Sequence, residues 1–447
     1  MVKNLQQKLA KINVLYVFLL SIAVNSFMLL KYVSPWFIAL FLPIYTFIFL
    51  FAGVKIPKTK NIRWKICFHG AALLSVFLYT AIISIIYHTI LAFFTIKNNY
   101  WDLIFSFMVC YAFMSVFFLG AVICVYATSI QLGVKLRILG VLLWLIPGAN
   151  LIVLYYILKT IFNEIEFETT KEELNHNRRH LKMCATKYPI LLVHGVCFRD
   201  QKHMNYWGRI PNELFINGAR VFYGNQQSAI AIKDSAEELI VRVKEICENF
   251  GCEKLNIIAH SKGGLDCRYA IENLGMGQYV ASLTTISTPH KGCEYADYLL
   301  NKIPQGAKNF VALRYNNMLK RLGDHKPDFL AAMQDLTASA CAEFNEKHPT
   351  PDYFFTQSIG SLIPKNATFG DPFDVITRFI SKSDGTNDGL VGEDSFPFGE
   401  KFTLISSRKK YGISHCDITD LFKKNIDGFD IREFYVDLVY DLKKRGL

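Results

Sequence analysis

The sequence predicts two unlike parts: an all-α transmembrane region of about five helices, then an α/β region on a mostly parallel, doubly wound sheet. Three observations predict this. Hydrophobic residues make up 51% of the 447 and charged residues 19%, which excludes a disordered or collagen-like chain. Charge is split along the chain. Residues 1–160 carry 13 Lys/Arg and one acid, Asp102, whereas the remainder carries 36 basic and 37 acidic residues. The net charge of +11 therefore belongs to an apolar N-terminal region, a membrane-topology signal and not a nucleic-acid surface. Beyond residue 183, short apolar runs alternate with helical stretches, the pattern of a parallel sheet.

Taking the elements in order, five hydrophobic stretches are long enough to span a bilayer, which takes about 20 helical residues. They are Ile12–Leu30, Trp36–Val54, Phe68–Phe94, Leu103–Ile130 and Ile138–Leu158. Lys3, Lys8 and Lys11 precede the first, but no small-residue cleavage site follows, so it reads as a span and not a signal peptide. Lys55, Lys58, Lys60, Arg63 and Lys65 crowd the second loop, and Lys135 and Arg137 mark the fourth. The positive-inside rule puts these loops and the N-terminus in the cytoplasm. Five spans leave the C-terminal region outside; a re-entrant hairpin at Pro147-Gly148 would keep it inside. His69 and His88 are expected to face neighbouring helices or the interface. The eleven cysteines form no CxxC pair or ligand cluster and read as free thiols.

A polar, helical-looking linker over 161–186 leads into the α/β region, 187–447. Strands are expected at Tyr188–Gly195, Arg220–Tyr223, Leu255–Ala259, Val280–Ile286 and Lys401–Ser406. A helix is expected over Asp234–Phe250, with Asp234 as N-cap and Gly251 as C-cap. Where the strand Leu255–Ala259 stops, His260, Ser261, Lys262, Gly263 and Gly264 lead into the helical Leu265–Leu274. Strand, tight turn and helix with a serine at the apex are what a nucleophile elbow requires. An ordinary serine in a Gly-rich turn is the competing reading, and Ala259 stands where a glycine is usual.

A serine hydroxyl needs a base, and the base needs an acid to orient it. Among downstream histidines, His290 comes too soon after Ser261, and His325 and His348 sit in polar sequence expected to be solvated. His415, after the last strand, is the best base. Asp384, Asp388 and Asp394 compete for the acid, and spacing alone does not choose. The backbone N–H groups of Val196 and Lys262 are placed to form an oxyanion hole, with His194 a hydrogen-bonded turn residue.

These residues lie in stretches that resemble the bacterial true lipases of the α/β-hydrolase superfamily, closest to clostridial membrane-tethered esterase/lipases. The stretches are 189–195, Asn205-Tyr-Trp-Gly208, 256–265, Thr285–Gly292, Asp335-Leu-Thr337 with Phe344-Asn345, 387–392 and His415-Cys-Asp417. The resemblance implies an α/β-hydrolase fold in which Ser261 is nucleophile, Asp388 acid and His415 base. It implies a structural calcium ion on Asp371 and Asp417, completed by carbonyls near Leu421 and Asn425, and a lid over about 293–349. The zinc site and the disulfide of particular branches have no counterpart in the sequence. The expected function is a membrane-anchored serine lipase or esterase acting on lipid carboxylic esters, triacylglycerol-type. It needs no cofactor for the chemistry and binds no nucleic acid. Phospholipase or acyltransferase activity, and an inactive hydrolase-fold binding module on a membrane protein, are the alternatives.

Overall fold

The computed structural model describes residues 14–51, 59, 61–95, 99–144, 146, 148–196, 205–364, 386–407 and 412–447. The chain divides into two compact units, Met1–His176 and Asn177–Leu447.

The first unit is helical: α1 (Val14–Val24), α2 (Phe27–Tyr32), α3 (Ile38–Phe51), α4 (Ile62–Thr95), α5 (Tyr100–Thr128), α6 (Gly133–Leu142) and α7 (Ala149–Arg178). Two described helices, α4 and α5, are long and apolar enough to cross a membrane. They hold the third expected span and most of the fourth. Two of the other three are interrupted. The first breaks between α1 and α2 at Asn25-Ser26, and the fifth is divided between α6 and α7. The second is a short apolar helix with Pro43 inside it. The expected linker is helical, because α7 runs through most of it.

Leu20, Ile48, Leu73, Phe117, Val125 and Ile161 form the bundle core, while Ile86, Phe93, Phe107 and Ile123 point outward. Several of its polar groups are paired. His88 contacts the Ser84 carbonyl at 2.8 Å and the Ser106 hydroxyl at 3.2 Å. Asp102 is buried and takes the Lys31 ammonium and the Tyr32 hydroxyl. Glu164 accepts the N–H groups of Ile130 (2.9 Å) and Gln131 (3.3 Å) in the turn that follows α5.

In the second unit six strands form one parallel sheet in the order β2-β1-β3-β4-β5-β6. They are β1 (Ile190–Val193), β2 (Val221–Tyr223), β3 (Leu255–His260), β4 (Val280–Ile286), β5 (Phe355–Leu362) and β6 (Lys401–Ser406). The helices are α8 (Ile210–Ile216), α9 (Ile232–Phe250), α10 (Lys262–Asn273), α11 (Glu294–Lys302), α12 (Gln305–Arg321), α13 (Phe329–Gln334), α14 (Ala338–Lys347) and α15 (Ile431–Lys444). Alternation sends successive strand residues to opposite faces. Ile190, Leu192, Ile258 and Ile286 pack with Trp207, Tyr435 and Val439; Leu191, Val193, Ile257 and Leu283 pack with Leu239, Val243 and Cys267. Helices thus cover both faces, as the doubly wound expectation requires. The insertion after β4 supplies α11 to α14.

Two local expectations are corrected. The N-cap of α9 is Ala231, not Asp234, which lies in the first turn. The exposed end is capped from a distance, because the Asp335 carboxylate accepts the Ile232 N–H at 2.7 Å. Strand β5 was not expected; its residues Thr356, Gln357, Ser358 and Ser361 are polar yet buried. Gly251 closes α9 as expected, with φ of 60°.

Candidate active site

Strand order reverses direction around β1 and β3, and a crevice at the carboxyl ends of such strands is where doubly wound folds place their sites. The turn after β3 carries Ser261 at φ 53° and ψ −132°, a conformation that costs a non-glycine residue about 1–3 kcal/mol. The surroundings hold it there: its N–H donates to the Ile286 carbonyl at 2.9 Å, and the Gly264 N–H donates to its carbonyl at 3.0 Å. A Cβ on Gly263 would lie 2.4 Å from the His194 carbonyl oxygen, so the elbow can approach the β1 turn only with glycine there. This strained strand-turn-helix has the geometry expected of the elbow.

The loop after β6 brings His415 to the loop before it. His415 Nδ1 lies 2.7 Å from Asp388 Oδ2, and the His415 N–H donates to the Asp388 carbonyl at 2.8 Å. The other carboxylate oxygen accepts the N–H groups of Leu390 (3.0 Å) and Val391 (2.9 Å), which fixes the fully buried carboxylate in its turn. Of the three competing acids, Asp388 meets His415 and Asp394 is exposed, while Asp384 lies outside the described residues. The Ser261 hydroxyl makes no hydrogen bond among the described residues. The imidazole of His260, its immediate neighbour in the chain, packs 4.5 Å from the ring of His415.

The other histidines have structural surroundings. His194 is buried, with its ring nitrogens 2.9 Å from the Gly195 and Gln226 carbonyls. His290 is buried between Thr285 (3.0 Å) and Arg268 (3.1 Å); burial, then the Arg268 charge, holds its pKa well below the ordinary imidazole value. His325 is exposed as expected, but His348 is not: it is buried and stacks on Phe344 at 4.3 Å.

Val196 and Lys262 flank the serine from β1 and α10, and neither N–H donates to a protein group among the described residues. Two unspent amides beside a helix N-terminus suit a developing oxyanion. The side chain of Lys262 turns away into the protein, where its ammonium donates to Ser235 Oγ (2.8 Å) and Asp266 Oδ1 (2.7 Å). Burial pushes the Asp266 carboxyl up to about 7 even with the Lys262 ammonium beside it.

Three features were not anticipated. Tyr206 holds His260 through a 2.6 Å contact at Nδ1, and burial followed by the neighbouring His415 keeps His260 neutral. Arg209 clamps the loop that follows His415. Its Nε and Nη2 donate to Asp420 at 2.8 and 2.7 Å, its N–H donates to the same carboxylate at 2.8 Å, and Nη1 donates to Asn425 Oδ1 at 2.8 Å. Gly208 permits the clamp, since a Cβ there would lie 2.0 Å from the Asp420 carbonyl oxygen. The Asn205-Tyr-Trp-Gly208 motif marked this segment, but no local pattern pairs Arg209 with a residue 211 positions away.

For the expected calcium ion, Asp371 lies outside the described residues. Asp417 accepts the Ser414 N–H at Oδ2 (3.2 Å). Among the described residues, no group of three or more His, Cys, Asp or Glu could hold a metal ion.

Residues 189–347 match the family described as palmitoyl protein thioesterase. The triacylglycerol lipase of Pseudarthrobacter phenanthrenivorans is 36% identical over 178 residues, covering 37% of this chain and 55% of that protein. Triacylglycerol lipase 2 of Saccharomyces cerevisiae is 30% identical over 273 residues, covering 55% of this chain and 77% of that protein. This chain belongs to the triacylglycerol lipase family. The match to the Pseudarthrobacter lipase spans about half of that relative's length. The crystal structure of Staphylococcus hyicus lipase is similar over 58% of this chain and 98% of its own, with 18% identity and a TM-score of 0.45. The parallel six-stranded sheet with its strained serine turn gives this family member an α/β-hydrolase fold.

Proposed function

We propose that this chain is a membrane-anchored serine hydrolase that cleaves carboxylic esters of lipids. The observation that carries the reading is the Asp388–His415 hydrogen bond beside an elbow that holds Ser261 in strain. An inactive binding module would have no use for either. Ser261 Oγ attacks the acyl carbonyl as His415 Nε2 takes its proton. Asp388 fixes the tautomer and offsets the imidazolium charge. The Val196 and Lys262 amides receive the oxyanion, and His415 returns the proton to the leaving alkoxide. Water then releases the acyl-enzyme by the same route. The names of the matches differ in leaving group, oxygen in the lipases and sulfur in the thioesterase family, and an acyl carbonyl is the shared element. Triacylglycerol-type esters are the substrate we favour.

The first unit is proposed as a multi-span anchor that confines the site to the cell membrane. The apolar α4 and α5, the outward Ile and Phe residues and the basic loops support it. A count of five spans places the catalytic unit on the outer face. Calcium on Asp371 and Asp417 would supply positive charge joining the acid and histidine loops, without entering the chemistry. Chelation should then lower the melting temperature and Asp371→Ala should mimic it; unchanged melting removes the metal.

The deciding test is ester hydrolysis by the detergent-purified full chain beside Ser261→Ala, over short to long acyl chains, with fluorophosphonate labelling. We expect labelling at Ser261, loss of rate by roughly 10⁴-fold or more in the variant, and preference for long chains. A rate untouched by Ser261→Ala, or no rate on any ester, overturns the proposal.

A further inference from the structure

Helix α12 is apolar on two opposite faces. Ala312 and Leu319 are buried against the insertion, and Tyr315 packs on Phe329 at 4.6 Å between ring centres. At 100° per residue, the opposite side of the helix carries Phe310, Leu313, Arg314, Asn317 and Arg321, with Lys320 and Met318 at its two edges. Phe310 is 59% and Leu313 60% exposed. The Arg314 guanidinium sits 5.2 Å over the Phe310 ring, so charge and apolar surface share one patch.

Charge around this patch is one-sided. From residue 298 to 323 the chain carries Lys302, Lys308, Arg314, Lys320 and Arg321 and no acid. The acids that flank the stretch are turned to other work. Asp297 accepts the Ala338 N–H at 2.9 Å, buried Asp324 accepts the Ser228 hydroxyl at 2.7 Å, and Asp328 caps α13. The helix itself carries four bases and no acid, in a region whose overall charge is close to balance.

A helix that shows Phe and Leu to solvent between Arg and Lys matches a surface with an apolar interior and negative headgroups. Its rings can enter the acyl boundary while its cations stay among the phosphates. We propose that the outward face of α12 docks on a bilayer surface carrying anionic lipid headgroups, and that this contact selects the membrane composition on which the catalytic unit works. The proposal takes from the functional reading only that the chain resides in a membrane.

The test uses the full chain with Ser261→Ala, so that no turnover intervenes, incorporated in nanodiscs. One set is phosphatidylcholine and the other contains added phosphatidylglycerol. Hydrogen exchange is followed in residues 305–321. Exchange should be slower by roughly tenfold in the anionic discs, the effect of one or two surface-held bases, and high salt should remove the difference. The triple variant Arg314→Gln/Lys320→Gln/Arg321→Gln should exchange equally in both lipids. Phe310→Ser/Leu313→Ser should lose protection in the anionic discs while the rest of the second unit exchanges as before. Equal exchange of the unaltered helix in the two disc types overturns the proposal. So does protection that persists without lipid and rises with protein concentration, which would assign the face to a second copy of the chain. Failure of the anchoring reading looks different: the chain would not enter nanodiscs at all.

Discussion

The two units bury polar groups for opposite reasons. In the helical unit, two buried carboxylates serve helix ends: Asp102 at the start of α5 and Glu164 at the turn after it. Between those ends the helices present Ile, Leu and Phe both inward and outward. In the sheet unit, ionisable side chains lie deep, directly beyond the strands: Asp388, His415, Lys262, Asp266, Asp420. A buried ionised group costs several kcal/mol unless its partners are arranged around it. The first unit holds few such groups, and the second holds several beyond its strands. The difference teaches that local hydropathy can describe the first unit, whereas the second needs contacts between distant residues.

Three changes probe that contrast, from the largest expected effect to the smallest. Asp388→Asn keeps size and burial but removes the charge that orients His415. We expect kcat to fall by roughly 10⁴-fold with little change in melting. An equal fall in melting temperature would make Asp388 a structural group like Asp102.

Arg209→Ala leaves the Asp420 carboxylate buried without its cation. It should destabilise the sheet unit by about 3–5 kcal/mol. Protease resistance of the helical unit should be unaffected, and Arg209→Lys should recover only part of the loss, because an ammonium lacks the bidentate fork. Normal stability in Arg209→Ala would show that the histidine loop is held by other means, calcium among them.

The smallest effect is a pH slope. Asp266 has its carboxyl raised from 3.8 to about 7 in the folded chain, chiefly by burial. Between those values the native state holds a proton that the unfolded chain has released. Stability from this group therefore falls as pH rises through that window and levels off above it. Asp266→Asn lacks the titration. The stability of the native chain relative to this variant should decline through the same window, measured by chemical denaturation. A constant difference would mean that the Lys262 ammonium keeps Asp266 ionised throughout.

The buried strands β1, β3 and β4 were legible because each is a continuous apolar run, and the elbow because small residues follow a strand at a serine. Strand β5 was not. Its Phe-Thr-Gln-Ser sequence suggests a loop, and only the neighbours make it a strand: Gln357 donates to Thr284 Oγ1 at 3.0 Å, and Ser358 Oγ accepts the Phe398 N–H at 2.9 Å. The expected N-cap of α9 failed for a related reason, since the capping carboxylate arrives from Asp335 in the insertion. His348 was misplaced because its apolar cover, Phe344 and Tyr269, becomes a cover only after α10 and α14 pack.

By itself the sequence determined the division into an apolar basic part and an α/β part, most of the strands, the serine turn and the histidine proposed to serve it. Those are local properties: hydropathy, periodicity and steric demands over a few neighbouring residues. Tertiary structure alone decided that Arg209 holds the loop beyond His415. It also decided that Lys262 spends its charge inward, and that α12 keeps a second apolar face uncovered. Each depends on which distant groups share a small volume, and the energy of a buried charge or an exposed ring is set by that company.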